Sequence, residues 1–442
     1  MSGIPPGAQA IAKQYPQQPV TFQNTHEASE IRALVVLNNV NFLVPHMEIE
    51  QNAHGSTDST EITIPVKGAP DFTAWLYSNP NASSTPPPIP IQVYIGAFQG
   101  AQSATTSTSG LTQIFSGQID MYDIDLTDPD QATVVFKCRS LGAPLVDNRL
   151  THIPGNMTTT AFVKQIAAQY GLTPNVQLPA GAYPFTVAEV YQHSFAVGLQ
   201  NQRIWDLLMT MANFDDVDVW VSGSTLNYCA PGQVSRQNLY LTYGRDVSSL
   251  KLTHSPRFSK EIRVEVRTYN QKTRQASIQR VQTNSTGGVV VTSSSKTVTA
   301  TPVFGTQNSQ STSISSTGAQ TTTQTTASGG AASSTTGQGN ESGPERYIIY
   351  KPGISPQAAN QLAQATWRRI SMQEYSAVME IPIRRSQLST LGITMLVRLS
   401  GTPFQRFNTT YWPRKLTWTV DIEEGAHLSI EAVNHELPSG AV

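Results

Sequence analysis

Between Ile89 and Asp147 three consecutive runs alternate apolar and polar residues, and this alternation constrains the fold more than any other feature of the chain. The runs are IPIQVYIGAFQ, LTQIFSGQIDMYDIDL and ATVVFKCRSLGAPLVDN, separated by a Ser/Thr/Gly loop and a DPD turn. β-Branched and aromatic residues at period two, bounded by turn residues, encode an antiparallel meander with one buried and one wet face. In the third run Val134, Phe136 and Cys138 take one face and Val135, Lys137 and Arg139 the other. The stretch reads as a wall, with nothing catalytic in it.

The rest of the chain supports a mainly β (α+β) reading. Residues 1–30 are rich in Pro, Gln and Gly and read as an extended arm. From Ile31, IRALVVLNNVNFLV predicts a hairpin around an Asn-Asn turn, followed by two alternating strands, MEIEQN and TEITIPV. A short helix is expected over Phe72 to Tyr77. Residues 31–145 thus form a first β domain. Residues 146–235 change character: Phe162, Val163, Ile166 and Ala167 fall at helical spacing, with Gly171 placed to end that helix, and Ile204 to Asn213 repeats the pattern. Pro174 to Val190 reads as irregular or extended, and VDVWVSGSTLNYC as a hairpin around Gly223. This is a small α+β region between larger β parts.

Strand patterns return at LYLTYG, SLKLTH and KEIRVEVRTYNQ, and again after residue 345 with a helix at Pro356 to Met372 and three closing strands. Residues 236–282 and 345–437 are assigned to a second β domain. Between them, residues 283–344 are almost entirely Ser, Thr, Gly, Gln and Ala, a composition predicting a flexible loop, with VVVT and TPVF as candidates for a protruding hairpin. One internal echo stands out. MYDIDLTDPDQATVVFKCRS and TWTVDIEEGAHLSIEAVNH share an aromatic-flanked strand, an acidic turn and a second alternating strand.

Composition narrows the function. Charged residues are only 13% of the 442 and the net charge is -1, which gives no bulk electrostatic reason to bind nucleic acid. Burial of surface in a larger assembly is one solution for so sparsely charged a chain. The two cysteines, Cys138 and Cys229, exclude a disulfide framework, and Cys138 on its alternating strand reads as a small buried apolar residue. No signal-peptide pattern and no bilayer-length apolar run is present, so synthesis and folding in a reducing cytoplasm are expected.

No catalytic constellation emerges. The eight histidines lack HExxH spacing, the cysteines are not in CxxC, and GxSxG, GxxxxGK[ST] and GxGxxG are missing. No cofactor, metal or catalytic residue is assigned. Asp120, Asp123 and Asp125 are the candidates for a glycosidase carboxylate pair, weighed against a solvated acidic rim. Arg263, Arg267, Lys272, Arg274 and Arg280 cluster, but with only Tyr269 interleaved they read as a wet strand face rather than a nucleic-acid site.

The order of parts carries more than any motif. IQVYIG, IFSGQIDMYDID and ATVVFKCRSLGAPLVDNRL, then NMTTTAFVKQIAAQYGL, then VYQHSFAVGLQNQRIWDLLMTMANFDDVDVWVSGSTLNY resemble the baseplate hub proteins of contractile-tailed bacteriophages, the late control protein D type, to which the hub part of type VI secretion spike proteins is related. The matching pattern runs strand, F/L-x-G, acidic strand, strand and D-x-R/K over Ile114 to Arg149, and the likeness covers about residues 31–270 and 345–435. The N-terminal arm and the 283–344 insertion depart from it. The resemblance implies two barrel-like antiparallel tube domains per chain and a homotrimer whose six domains adapt a sixfold tail tube to a threefold spike. It also implies a location in the virion tail baseplate after assembly in the host cytoplasm. The partners it implies are a tail tube or tube-initiator protein, a separate spike protein, tape measure and baseplate wedge proteins, and DNA only in passage through the channel. A peptidoglycan- or glycan-binding tail protein, using residues 146–235, is the competing expectation.

Overall fold

The computed structural model describes residues 31–37, 40–53, 55–65, 89–97, 108, 110–127, 132–150, 156–191, 202–230, 237–255, 262–270, 274–283, 289–297, 307–314, 320–327 and 345–434. The N-terminal arm, the helix expected over 72–77 and the TPVF segment lie outside them.

The first β unit holds β1 (Ile31–Leu37), β2 (Val40–Val44), β3 (His46–Asn52), β4 (Ser59–Pro65), β5 (Pro90–Ala97), β6 (Thr112–Asp125) and β7 (Thr133–Ser140). The expected β1–β2 hairpin forms, and the meander pairs in sequence as β5, β6 and β7. The short helix α1 (Ala143–Asp147) and β8 (Arg149–Leu150) lead out of it.

The middle region contains α2 (Thr159–Gln169), β9 (Thr173–Gln177), α3 (Val187–Tyr191), β10 (Gln202–Arg203), α4 (Ile204–Asp215), β11 (Asp218–Ser222) and β12 (Thr225–Cys229). The Thr158 side chain caps α2 by accepting from Ala161 N–H at 3.3 Å. Its other end closes on Gly171 (φ +70), with Leu172 N–H donating to Ala167 O at 2.8 Å. The segment expected to be irregular or extended supplies the extended β9, which runs parallel to β12, and departs from the expectation in the short helix α3.

Next come β13 (Asn238–Thr242), β14 (Ser249–His254), β15 (Ile262–Asn270), β16 (Gln275–Thr283), β17 (Val289–Thr297), β18 (Gln307–Ile314), β19 (Gln320–Ala327), β20 (Glu345–Tyr350), α5 (Pro356–Ser371), β21 (Tyr375–Pro382), β22 (Leu396–Ser400), β23 (Thr410–Asp421) and β24 (Gly425–Asn434). The strands expected in the second β domain divide between two sheets. β13, β14 and β21–β24 form a second β unit, whereas β15, β16 and β20 pair with β17–β19 in a separate six-stranded sheet ordered β19-β18-β17-β16-β15-β20. Hence the Ser/Thr-rich segment does not stay a loop in its described parts. Its Val- and Thr-bearing runs fit the pleat, and β16 offers a backbone edge on which β17 can pair.

Both β units belong to one thirteen-stranded sheet, ordered β14-β21-β24-β23-β3-β4-β7-β6-β5-β1-β2, with β22 and β13 attached beside β23. The join is the antiparallel pairing of Lys415–Asp421 in β23 with His46–Asn52 in β3. The sheet curls until β1 lies against β23 and β24, yet among the described strands hydrogen bonding leaves it open at β2, β14 and β13. One apolar cluster lies under both units, with Phe136, Met47, Ile49, Trp418, Leu428 and Met379 fully buried in it. A second cluster packs α2, α4 and α5 against β11, β12, β15 and β16. Among the described residues no helix is long and apolar enough to cross a membrane.

Candidate functional site: the wall shared by the two β units

The join between the units is built from period-two alternation on β23 and β3. Trp418 faces Ile49 and Val420 faces Met47 on the core side, while Thr417 meets Glu50 and Thr419 meets Glu48 on the opposite side. Gln51 breaks the apolar pattern of the core face for a reason. Its Oε1 accepts the indole N–H of Trp418 at 2.9 Å, and its Nε2 donates to Ile114 O of β6 at 2.6 Å. One amide thus satisfies the buried indole of the second unit and ties it to the meander of the first.

The opposite face runs without interruption across both units. It carries Val378 and Glu380 of β21, Ser429 and Glu431 of β24, Lys415, Thr417 and Thr419 of β23, Glu48 and Glu50 of β3, Glu61 of β4, and Lys137 and Arg139 of β7. Glu48 stands opposite Glu61 across β3 and β4, Lys137 stands beside Glu61, and Lys415 pairs with Glu50 at 2.9 Å. A depression of about 390 Å³ opens here between Glu48, Glu50, Glu61, Asp120, Lys137 and Arg139. Carboxylates outnumber cations on this face, so its surface is hydrophilic and mildly repels other anions.

The three aspartates proposed as an acid pair do not converge. Asp120 bonds Arg139 at 2.7 Å, Asp123 bonds Lys137 at 3.0 Å, and Asp125 accepts from the Thr127 amide at 2.9 Å. Arg139 also grips Asp147 with two bonds of 2.9 Å, which holds the Asp147 carboxyl below its usual range. The D-x-R/K segment therefore anchors α1 to β7. In the F-x-G element, a Cβ on Gly117 would sit 2.2 Å from the Arg139 carbonyl oxygen and 2.8 Å from the Phe115 ring, so the close approach of β6 to β7 requires glycine.

Both thiols are buried and unpaired to one another, and burial pushes Cys138 up to about 12 and raises Cys229. His46 bonds Asp421 at 3.0 Å, His254 lies 3.4 Å from Glu374, and His427 bonds the Glu424 carbonyl. Among the described residues no group of three or more His, Cys, Asp or Glu is arranged to hold a metal ion.

A lattice of acids and arginines fastens the middle region to the wall. Asp215, fully buried, accepts from Thr159 Oγ1 and Tyr228 Oη, both at 2.6 Å, and burial raises its carboxyl to about 6. Asp216, in left-handed backbone at the end of α4, pairs with Arg368. Arg369 donates to the Ala212 and Val217 carbonyls at 2.9 and 3.0 Å, and Arg414, at the irregularity in β23, bonds Asp218 at 3.1 Å. Sequence reading missed this set because its members lie on α4, β11, α5 and β23, with no local spacing to betray them.

The basic residues singled out in the sequence resolve into something more specific. Arg263, Arg267 and Arg280 converge on one carboxylate, Glu265, joined there by Arg346 from β20. Lys272 lies outside the described residues, and Arg274 occupies a left-handed turn position before β16. The alternation of β15 placed Arg263, Glu265 and Arg267 on one face, but nothing local signalled Arg346.

No known family profile matches the sequence, and no curated protein matches it either. Solved structures do match in fold. A tail protein from Neisseria meningitidis MC58 aligns with a TM-score of 0.55 at 9% identity, covering 93% of this chain and 98% of that one. The 43 kDa tail protein of prophage MuSo2 from Shewanella oneidensis aligns with a TM-score of 0.54 at 13% identity, covering 91% and 98%. The likeness shows a mainly β fold shared with these two tail proteins over nearly the whole chain.

Proposed function

We propose that the chain is a structural baseplate hub of a contractile phage tail, a homotrimer that adapts a sixfold tail tube to a threefold spike and lines the channel through which DNA passes. The observation that carries this reading is the pairing of β23 with β3, which fuses two β units of one chain into a single curved wall. Such a wall has one apolar core on one side and a continuous polar face on the other. The fold likeness to one tail protein and one prophage tail protein over more than nine-tenths of each chain supports a tail role. In this reading residues 31–145 and the β13, β14 and β21–β24 strands are the two tube units, and residues 146–235 are the intermediate region. The open edges at β2 and β14 are satisfied by neighbouring copies, as a closed ring of like subunits requires.

In this reading the role is structural, and Asp120, Asp123 and Asp125 serve as partners of Arg139, Lys137 and the Thr127 amide rather than as an acid pair. The implied partners are a tube or tube-initiator protein and a spike protein, with tape measure and wedge proteins nearby, in the tail baseplate of the virion. Light scattering on the purified chain, alone and with tube and spike proteins, tests the proposal. A trimer that binds both is the expected result. A stable monomer at micromolar concentration that binds neither would refute it.

A further inference from the structure

The six-stranded sheet has two faces of opposite character. Val264, Val266 and Val281 are buried beneath α5. On the other face Glu265, itself without solvent exposure, receives four guanidinium groups: Arg263 at 2.7 Å and Arg280 at 2.9 Å on Oε1, and Arg346 at 2.7 Å and Arg267 at 3.1 Å on Oε2. The register places these side chains on adjacent strands, with Glu265 between Arg280 of β16 and Ile348 of β20.

Two features separate this cluster from an ordinary structural ion pair. First, the charges do not balance. Both carboxylate oxygens are committed, and among the described residues of the cluster the four arginines exceed the one carboxylate by three positive charges, in a chain whose net charge is -1. Elsewhere among the described residues Arg139 faces two carboxylates, Arg368 and Arg414 face one each, and Asp246 receives two arginines. Like charges crowded together are costly unless an anion joins them, and each planar guanidinium retains donors beyond those given to Glu265. Second, exposed apolar surface adjoins the cations: Tyr269, Ile348 and Tyr350 are 37%, 38% and 63% exposed, and Arg267 lies over the Tyr350 ring at 5.6 Å. Arginine and tyrosine beside exposed apolar surface is the composition of protein-binding surfaces.

The edge of the sheet says what shape the partner has. β20 ends the strand order, and no described strand pairs with its second edge. Glu265 holds the arginines in place beforehand, which lowers the ordering cost of binding.

The geometry points to this face as the docking site for an extended acidic segment of a partner protein, laid along β20 with its carboxylates on the arginine cluster and its apolar residues on Ile348 and Tyr350. Along β20 Arg346 is followed on the same face by Ile348 and Tyr350, so a peptide with carboxylates and apolar side chains matches both, whereas a nucleic-acid backbone offers phosphates and no apolar side chain. The inference stands apart from the trimeric hub reading.

Fluorescence anisotropy of the full chain with a labelled alternating Glu-Val octapeptide tests it, with an alternating Lys-Val octapeptide and a short DNA duplex as comparisons. The expected result is Glu-Val binding that weakens about tenfold when Arg267→Gln and Arg346→Gln are combined, and that falls with added salt. The Lys-Val peptide should not bind. The pair Ile348→Ser and Tyr350→Ser, at exposed positions, provides a second variant should the arginine pair fail to fold; it too should weaken binding. Absent Glu-Val binding, or binding that neither variant changes, would overturn the assignment. So would tighter DNA binding lost in the same variants, which would make the face a nucleic-acid contact. Light scattering on those variants keeps the hub reading separate. Unchanged association of the chain with itself is expected, and its loss would give the face to a second copy instead of a different protein.

Discussion

The indole N–H of Trp418 donates to Gln51 Oε1 at 2.9 Å, joining two residues 367 positions apart in the chain. Trp418 is fully buried, so this bond both satisfies a donor that has lost water and fixes the register of β23 on β3. Slipping that register by one residue would turn Trp418 and Val420 to the polar face and Thr417 and Thr419 to the core.

Trp418→Phe keeps an aromatic ring but leaves Gln51 without its donor. It should destabilise the chain by about 1–3 kcal/mol in denaturant unfolding. A double-mutant cycle with Gln51→Leu should recover about 1 kcal/mol of coupling. Additive effects would show that the bond does not join the two units energetically.

Gly117→Ala places a methyl group against the Arg139 carbonyl and the Phe115 ring. The backbone of β7 cannot move away without breaking its ladder with β6, so a loss of at least about 2 kcal/mol is expected from the thermal midpoint. At Gly181 nothing lies within reach of a Cβ, but φ is +72, so alanine there should cost about 1 kcal/mol through backbone strain alone.

Asp215 gives the middle region a pH dependence of defined sign. Its carboxyl is raised in the folded chain to about 6 from the model-peptide value of 3.8. The folded state therefore holds a proton that the unfolded state has released between those values. Stability from this group is present below about pH 4 and is lost as pH rises through about 6. Asp215→Asn retains an oxygen for Thr159 and Tyr228 but cannot ionise. Relative to the parent chain, the variant should gain stability across that window, by up to about 2–3 kcal/mol. A pH-independent difference between the two would contradict the assignment.

Cys138 and Cys229 should both be inert to a thiol reagent in the folded chain, since burial holds them protonated. Both should react on unfolding. Rapid native reaction at Cys138 would place that face of β7 in solvent.

The β meander, the hairpins and the helices at α2, α4 and α5 were legible because their causes are local: period-two or helical spacing, Gly171 at a helix end, Pro356 at a helix start. Sheet membership was not local. KEIRVEVRTYNQ has the same alternation whether it joins the thirteen-stranded sheet or the six-stranded one, and only its partners β16 and β20 decide. Composition predicts a loop for the Ser/Thr-rich segment and only VVVT hints at the strand it enters, because composition takes no account of a neighbouring strand edge that can template β17. The same limit hid half of the chemistry. Arg263 and Arg267 were visible as a basic run, whereas Arg346, Gln51 and Arg414 matter only through contacts made far along the chain.

The central claim is that two β units of one chain form a wall completed by copies of itself. Electron cryo-microscopy of the assembled particle tests this most directly. The account predicts three copies of the chain in a ring at the junction of tail tube and spike, each contributing two β units around the axial channel, with the β23–β3 join between them. Density placing the chain away from the tube axis, or a ring with one β unit of each copy outside the wall, would contradict it.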